Sequence, residues 1–238
     1  MPNPKTYSNA IFQNGFFQII TSSLLCISII IFIILFTVKI SLFDESLFKK
    51  EFEKHNVYSA LNGTNIESIN KEVIDYLNGK SGPKTNFFTE REKAHLSDVR
   101  SIIHTVNNTF LWTMPIIILL SFILFMSMKM KSALVLFAKI MLIAGILIMI
   151  MAFLFVLTVS LDFQSAFDRF HKTFFKSETW LFNPSYEKIV VLYPEGLFYD
   201  FGMRIIMLNL IFSGMMIFFS LGTLLIMRLN VNKYAKDT

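Results

Sequence analysis

Residues 15–38 read GFFQIITSSLLCISIIIFIILFTV, a run with no charged side chain between Lys5 and Lys39. Wound as an α-helix at 1.5 Å per residue, about 24 residues cover the roughly 30 Å hydrocarbon core of a bilayer with some tilt. The run is also longer than the 7 to 15 apolar residues of a secretory signal core, so an uncleaved first membrane span is expected. Outward from it, three further runs have the same character: about 109–128, about 134–160 with Lys139 near its start, and about 205–227. Hydrophobic residues make up 54% of the 238, 27 of them phenylalanine, and mean hydropathy is +0.56. A single water-soluble core of this length does not need that much apolar side chain. The expected fold class is therefore an all-α polytopic membrane protein, one integral membrane domain over 1–238, with polar segments at 39–108 and 161–204. The single cysteine, Cys26, lies within the first run, where it is expected to be a small apolar residue.

Orientation follows from where lysine and arginine lie. Lys129, Lys131 and Lys139 flank the short turn between the second and third runs, Arg228, Lys233 and Lys236 follow the fourth, and Lys5 precedes the first. Basic residues near span ends stay in the cytoplasm, so both termini are expected inside and both polar segments outside. Those segments are close to neutral, with ten basic and ten acidic residues over 39–108 and five and six over 161–204. The formal charge of +5 thus reflects membrane topology, and no basic stripe with interleaved aromatics marks a nucleic-acid partner.

The first polar segment has helical periodicity. Phe43, Leu47, Phe48 and Phe52 recur among charges, then Ile66, Ile69, Val73, Ile74 and Leu77 before Asn78-Gly79, which predicts two amphipathic helices that either lie on headgroups or cap a site. Gly82-Pro83 marks a turn-rich link. Thr89-Glu90-Arg91-Glu92 is a capping box, so a helix starts there and, with no Gly or Pro before Pro115, runs on into the second span, with a bend expected near Asn107-Asn108.

Within that helix Arg91, His95, Asp98 and Ile102 share a face. In the second polar segment Phe163, Phe167, Phe170 and Phe174 form a stripe expected to face a core, with Asp168, His171 and Phe175 beside it; a turn and helix start are expected at Asn183-Pro184. Each of His95 and His171 has an aspartate one helical turn away, a spacing suited to orienting an imidazole. Straight helices would hold the two rings about 21 and 16 Å beyond their spans, a rough agreement in height. His55 and His104 are read as lone histidines on external helices, more often solvated or packing residues, and are assigned structural roles.

The string Phe88-Thr89-Glu90-Arg91-Glu92-Lys93-Ala94-His95-Leu96-Ser97-Asp98-Val99, followed by Phe170-His171, Trp180, Asn183-Pro184 and Tyr193-Pro194-Glu195-Gly196-Leu197-Phe198, resembles the bacterial lipoprotein intramolecular transacylase (Lit) family. The likeness covers most of the chain from Phe87 onward, and the four-span layout agrees. The resemblance implies an enzyme of the bacterial cell membrane that moves the sn-2 acyl chain of a diacylglyceryl-modified lipoprotein to the α-amino group of the lipidated N-terminal cysteine, leaving an N-acyl lyso-form lipoprotein. It places the family's two motif histidines at His95 and His171.

The other roles are assigned from chemistry. Asp98, Asp168 and Arg91 are expected to orient or support the imidazoles, and Trp180, Tyr193 and Glu195 to contact substrate. One imidazole serves as base toward the amine; the second, Arg91 or a backbone amide serves the leaving oxygen or the oxyanion. Ester-to-amide exchange runs downhill, so no nucleotide-binding glycine loop is expected, and with no clear ligand cluster in the sequence neither a metal nor an organic cofactor is expected. Two alternatives stay open: a metal-dependent lipid hydrolase using His95, Asp98, His171 and Asp168 or Glu195 as ligands, and a non-catalytic accessory or sensor protein.

Overall fold

The computed structural model describes residues 15–80, 86–175 and 180–234. The link expected at Gly82-Pro83 and the polar leader before Gly15 lie outside them. Nine helices and no strand occur among the described residues: α1 Gly15–Leu42, α2 Glu45–Lys54, α3 Val57–Ala60, α4 Ile66–Leu77, α5 Glu90–Ser127, α6 Met130–Leu161, α7 Phe163–Phe174, α8 Ile189–Leu192 and α9 Glu195–Tyr234. Four of them, α1, α5, α6 and α9, are long and apolar enough to cross a membrane. The chain is thus an all-helical, multi-pass membrane protein. It divides into two compact units.

The first unit takes residues 1–36, 110–153 and 207–238. Its interior is built from Leu25, Ile29, Leu124, Ile140, Ala144, Ile148 and Met216. Small residues set the approach of the helices: a methyl group added at Gly145 would lie 2.9 Å from Ile217 Cγ1 and 3.1 Å from the Ser213 carbonyl oxygen, so α6 and α9 pack there nearly backbone to backbone, as small residues permit in membranes. The outward face carries Phe16, Leu111, Met126, Phe153 and Phe218, each about two-thirds or more exposed. Apolar surface of this extent suits lipid rather than water.

The second unit takes residues 37–109 and 154–206. Its core joins Leu47, Phe48 and Phe52 of α2 to Ile66, Ile69, Val73, Ile74 and Leu77 of α4, with Phe88, Leu96, Ile189, Leu192, Leu197 and Phe201. The two amphipathic helices expected at 43–52 and 66–77 are therefore core elements of this unit, each burying its apolar stripe. Asp44 caps α2 by accepting from the Ser46 and Leu47 amides, and its other oxygen accepts from Arg204 at 2.7 Å. Asn65 caps α4 through the Ser68 amide.

Two expectations are corrected here. The Phe163, Phe167, Phe170 and Phe174 stripe does not face a core as a whole: Phe163 packs on Tyr199 and Phe167 on Phe198, but Phe170 and Phe174 are about half exposed. The residue that α7 buries is His171, so the helix is rotated to bring the imidazole in, and the outer phenylalanines swing out. At Asn183-Pro184 the turn forms but the helix does not. The Asn183 carbonyl accepts from the Tyr186 and Glu187 amides and its side chain from the Ser185 amide, closing one turn, and helix resumes only at Ile189.

Candidate active site

The capping box forms as its sequence dictates. Thr89 Oγ1 accepts from the Glu92 amide at 3.3 Å and Glu92 Oε2 accepts from the Thr89 amide at 2.6 Å, which satisfies donors that the first turn of α5 would otherwise leave open. Glu92 does more than close the cap. Its other oxygen accepts from the Ile189 amide at 2.7 Å, 97 residues away, and its side chain is wholly buried. A buried carboxylate with both oxygens hydrogen-bonded avoids the cost of an unmet charge, and it fixes the entry to α8 against the start of α5. One turn later on α5, before its apolar stretch begins, comes His95.

Arg91 binds the same neighbouring segment. Its Nη1 donates to Glu187 Oε1 at 3.2 Å and its Nη2 to the Leu181 carbonyl at 2.5 Å, while its guanidinium lies 5.4 Å from the centre of the Phe182 ring. Glu187 in turn accepts from the Asn183 amide at 2.7 Å and is buried. The turn from Leu181 to Glu187 is thus tied down at both ends, and Phe182 is held edge-on to His95 with ring centres 5.3 Å apart.

His95 and His171, 76 positions apart in the chain, face each other with nearly parallel rings and centres 6.3 Å apart. Both are more than nine-tenths buried. Phe175 touches both, at 4.8 and 5.3 Å; Phe167 and Trp180 flank His171 at 4.2 and 4.8 Å, and Phe170 meets it edge-on at 5.6 Å. The site is an aromatic enclosure around two imidazoles.

That enclosure sets the protonation of both rings. Burial, and secondarily the neighbouring His171, push the His95 pKa down to about 4, with Asp98 pulling weakly the other way. Burial also lowers His171, against the opposing pull of the Phe167 carbonyl, Asp168 and Glu195. Both rings are neutral near pH 7. A carbonyl oxygen can only accept, so the 2.9 Å contact between His171 Nδ1 and the Phe167 carbonyl places the proton on Nδ1 and leaves the Nε2 lone pair available. His95 Nδ1 is buried with no hydrogen-bond partner among the described residues.

The remaining predicted residues divide. Trp180 is at the enclosure, and Asp98, Asp168 and Glu195 are near enough for their charges to act on one imidazole or the other. Neither aspartate takes the hydrogen bond that its spacing offered to Nδ1: the backbone serves His171, and Asp168 Oδ1 accepts from Gln164 at 3.3 Å. Gln164 reaches Glu195 Oε1 at the same distance, linking α7 to the first residue of α9. Tyr193 lies elsewhere, in the core beside Phe48 and Phe52, with its hydroxyl donating to Asn70 Oδ1 at 2.9 Å. Phe175 stands beside His171, as its place on the face shared with Asp168 led one to expect; Phe182, Glu187 and Gln164 were not anticipated in this neighbourhood, and Glu187, an acidic residue four positions after the expected turn at Asn183, was the one visible signal.

Fold and site define a class: a helical, multi-pass membrane protein holding two neutral, buried histidines inside an aromatic enclosure. The family model described as lipoprotein intramolecular transacylase Lit matches residues 23–198, and the chain belongs to that family. It is accordingly an acyltransferase of the membrane. Solved structures agree on the fold. Lit from Bacillus cereus superposes with a TM-score of 0.80 at 20% identity, covering 91% of this chain and 100% of that one. A variant of that protein with one histidine changed to arginine gives 0.74 at 19% identity over 94% and 99%, and one with histidine changed to alanine gives 0.68 at 18% over 95% and 99%. No match is found among curated proteins.

Proposed function

We propose that this protein transfers the sn-2 acyl chain of a diacylglyceryl-modified lipoprotein to the α-amino group of the same molecule's N-terminal cysteine, at the His95 and His171 pair. The observation that carries this reading is the meeting of two neutral imidazoles, from segments far apart in the chain, inside one aromatic enclosure.

The chemistry needs a base for the nitrogen and a donor for oxygen. The amine attacks the ester carbonyl as its free base, a minor form near pH 7 for an α-amine of pKa about 8. As the N–C bond forms, the nitrogen becomes acidic and His171 Nε2 takes its proton. The tetrahedral oxyanion accepts from a neutral His95 N–H; a lowered pKa suits a histidine to that role because the ring stays neutral and donates without giving up its proton. Collapse breaks the ester C–O bond, and the imidazolium of His171 returns its proton to the glycerol oxygen. Asp168 and Glu195 favour that transient imidazolium through their charge. Because amine and ester belong to one molecule, much of the acceleration comes from holding them in attack geometry.

The half-exposed Phe170 and Phe174, with Trp180, provide apolar and aromatic surface beside the imidazoles for the acyl chain or glyceryl group. Arg91, expected to serve the reacting oxygens directly, is already engaged with Glu187 and the Leu181 carbonyl; its proposed role is to hold Phe182 against His95. We place the site on the extracytoplasmic side of the bacterial cell membrane, supported by the distribution of lysine and arginine.

The test is a purified diacylglyceryl lipoprotein incubated with the protein in detergent, with fragmentation spectra locating the acyl chain on oxygen or nitrogen. N-acylated lyso-form product is expected. Free fatty acid as the main product would replace transfer by hydrolysis.

A further inference from the structure

Away from the histidine pair, the end of α2 meets the first turns of α9 through charged groups. His55 Nε2 lies 2.7 Å from Asp200 Oδ2 and 3.6 Å from Glu51 Oε2, and one ligand atom from each of the three residues falls within 4.8 Å of the others. Glu51 is 95% buried, and its Oε2, the oxygen turned toward His55, has no hydrogen-bond donor among the described residues. Asp200 is matched by the Lys54 ammonium, but among the described residues no donor reaches Glu51 Oε2.

The imidazole is also held in place. A methyl group at Gly196 would lie 2.5 Å from His55 Cε1 and 2.9 Å from Nδ1, so the ring rests directly on the glycine backbone with Nε2 directed at the two acids. A positive group already occupies the edge of the cluster: Lys54 Nζ donates to Asp200 Oδ2 at 2.6 Å, on a side chain that is 53% exposed.

We propose that Glu51, His55 and Asp200 bind a divalent cation, of which Zn²⁺ is the reference, in a three-ligand site separate from the histidine pair. One imidazole nitrogen and two carboxylate oxygens suit such an ion, with bonds of about 2.0–2.2 Å and water completing the shell. Entry of the ion displaces the Lys54 ammonium from Asp200, releases any proton held by Glu51, and replaces the hydrogen bond between His55 and Asp200; the 2.7 Å pair opens to roughly 3.3 Å, the ligand spacing of a tetrahedral site. Binding therefore releases protons and weakens on acidification. The ion ties the end of α2 to the start of α9 and takes no part in acyl transfer.

Full-length protein in detergent, stripped with chelator, is titrated with Zn²⁺ by calorimetry at pH 7.5, with elemental analysis and a melting temperature at each stage. One equivalent per chain and a higher melting temperature are expected. His55→Ala and Glu51→Gln should each weaken binding at least tenfold while retaining acyl transfer, and Lys54→Met should tighten it severalfold by removing the competing ammonium. His95→Ala and His171→Ala should leave the stoichiometry intact. Sub-stoichiometric zinc, affinity unchanged in the His55, Glu51 and Lys54 variants, or loss of the ion from the His95 or His171 variants would each overturn the proposal, the first two marking an adventitious ion only. The outcome is independent of whether the acyl chain reaches nitrogen or water, because the readout is occupancy and melting rather than product.

Discussion

Nδ1 of His171 donates to the carbonyl one helical turn back, and that contact makes the opposite nitrogen a base. Replacing His171 with alanine is expected to lower N-acyl transfer by about 10²- to 10⁴-fold, the usual cost of removing a proton-transfer group. His95→Ala should lose activity to a similar extent, and the double variant should be scarcely worse than either alone, since groups acting as one unit are not additive. Asp98→Asn and Asp168→Asn should leave measurable turnover, because neither carboxylate takes the Nδ1 hydrogen bond. Initial rates by mass spectrometry on the purified lipoprotein decide each case, and wild-type transfer by either alanine variant would remove that histidine from the mechanism. Helical spacing put Asp168 one turn from His171, yet it could not reveal that a backbone carbonyl takes the Nδ1 hydrogen there. Every helical residue has such a carbonyl four positions back, so its presence leaves no mark in the sequence.

Residues 180–188, ahead of α8, have almost no regular structure, and their position depends on Arg91, Glu92 and Glu187. Glu187→Gln and Arg91→Gln are each expected to lower kcat by roughly tenfold or more through misplacement of Phe182 against His95, since small displacements near reacting groups are costly. Steady-state kinetics with the fold checked by circular dichroism separates this from unfolding. Tyr193→Phe gives the opposite pattern. It removes the hydrogen bond to Asn70 at about 1 kcal/mol of stability and should leave the specific activity of folded protein unchanged; a severalfold rise in KM would return Tyr193 to the substrate site. The capping box and the stripes of α2 and α4 were legible because they depend on residues three and four apart. The Phe182 contact, the Glu187 bonds and the outward turn of Phe170 and Phe174 depend on partners distant in the chain, which periodicity cannot register.

For the whole molecule, acid should be destabilising in a defined window. Unfolded imidazoles bind protons below about pH 6.5, whereas His95 does so only near pH 4 and His171 also below its ordinary range. Their contribution to stability is complete above pH 6.5 and is lost as the pH falls toward 4. For His95 alone the displacement corresponds to about 3 kcal/mol, so the difference in melting temperature between wild type and His95→Gln in detergent should shrink or reverse across that interval. The proposed orientation has its own check: a cysteine placed at Asn86 should react with a membrane-impermeant reagent in intact cells, and protection there would invert the topology. Four membrane-crossing helices were legible at this scale because lipid demands uninterrupted apolar length. The division into two compact units was not, because it depends on which distant residues meet.

Glu92 joins the two histidine-bearing segments by gripping the main chain of residue 189 rather than its side chain. Such a grip is blind to amino-acid identity. Any residue at position 189 presents the same N–H except proline, which has none. Residues 92 and 189 are therefore free of the reciprocal constraint that paired side chains impose on each other: 92 can be held to glutamate while 189 drifts among apolar types, and no correlated change between them would disclose the contact. Ile189→Val should be nearly silent, while Ile189→Pro should part the two segments as surely as loss of Glu92.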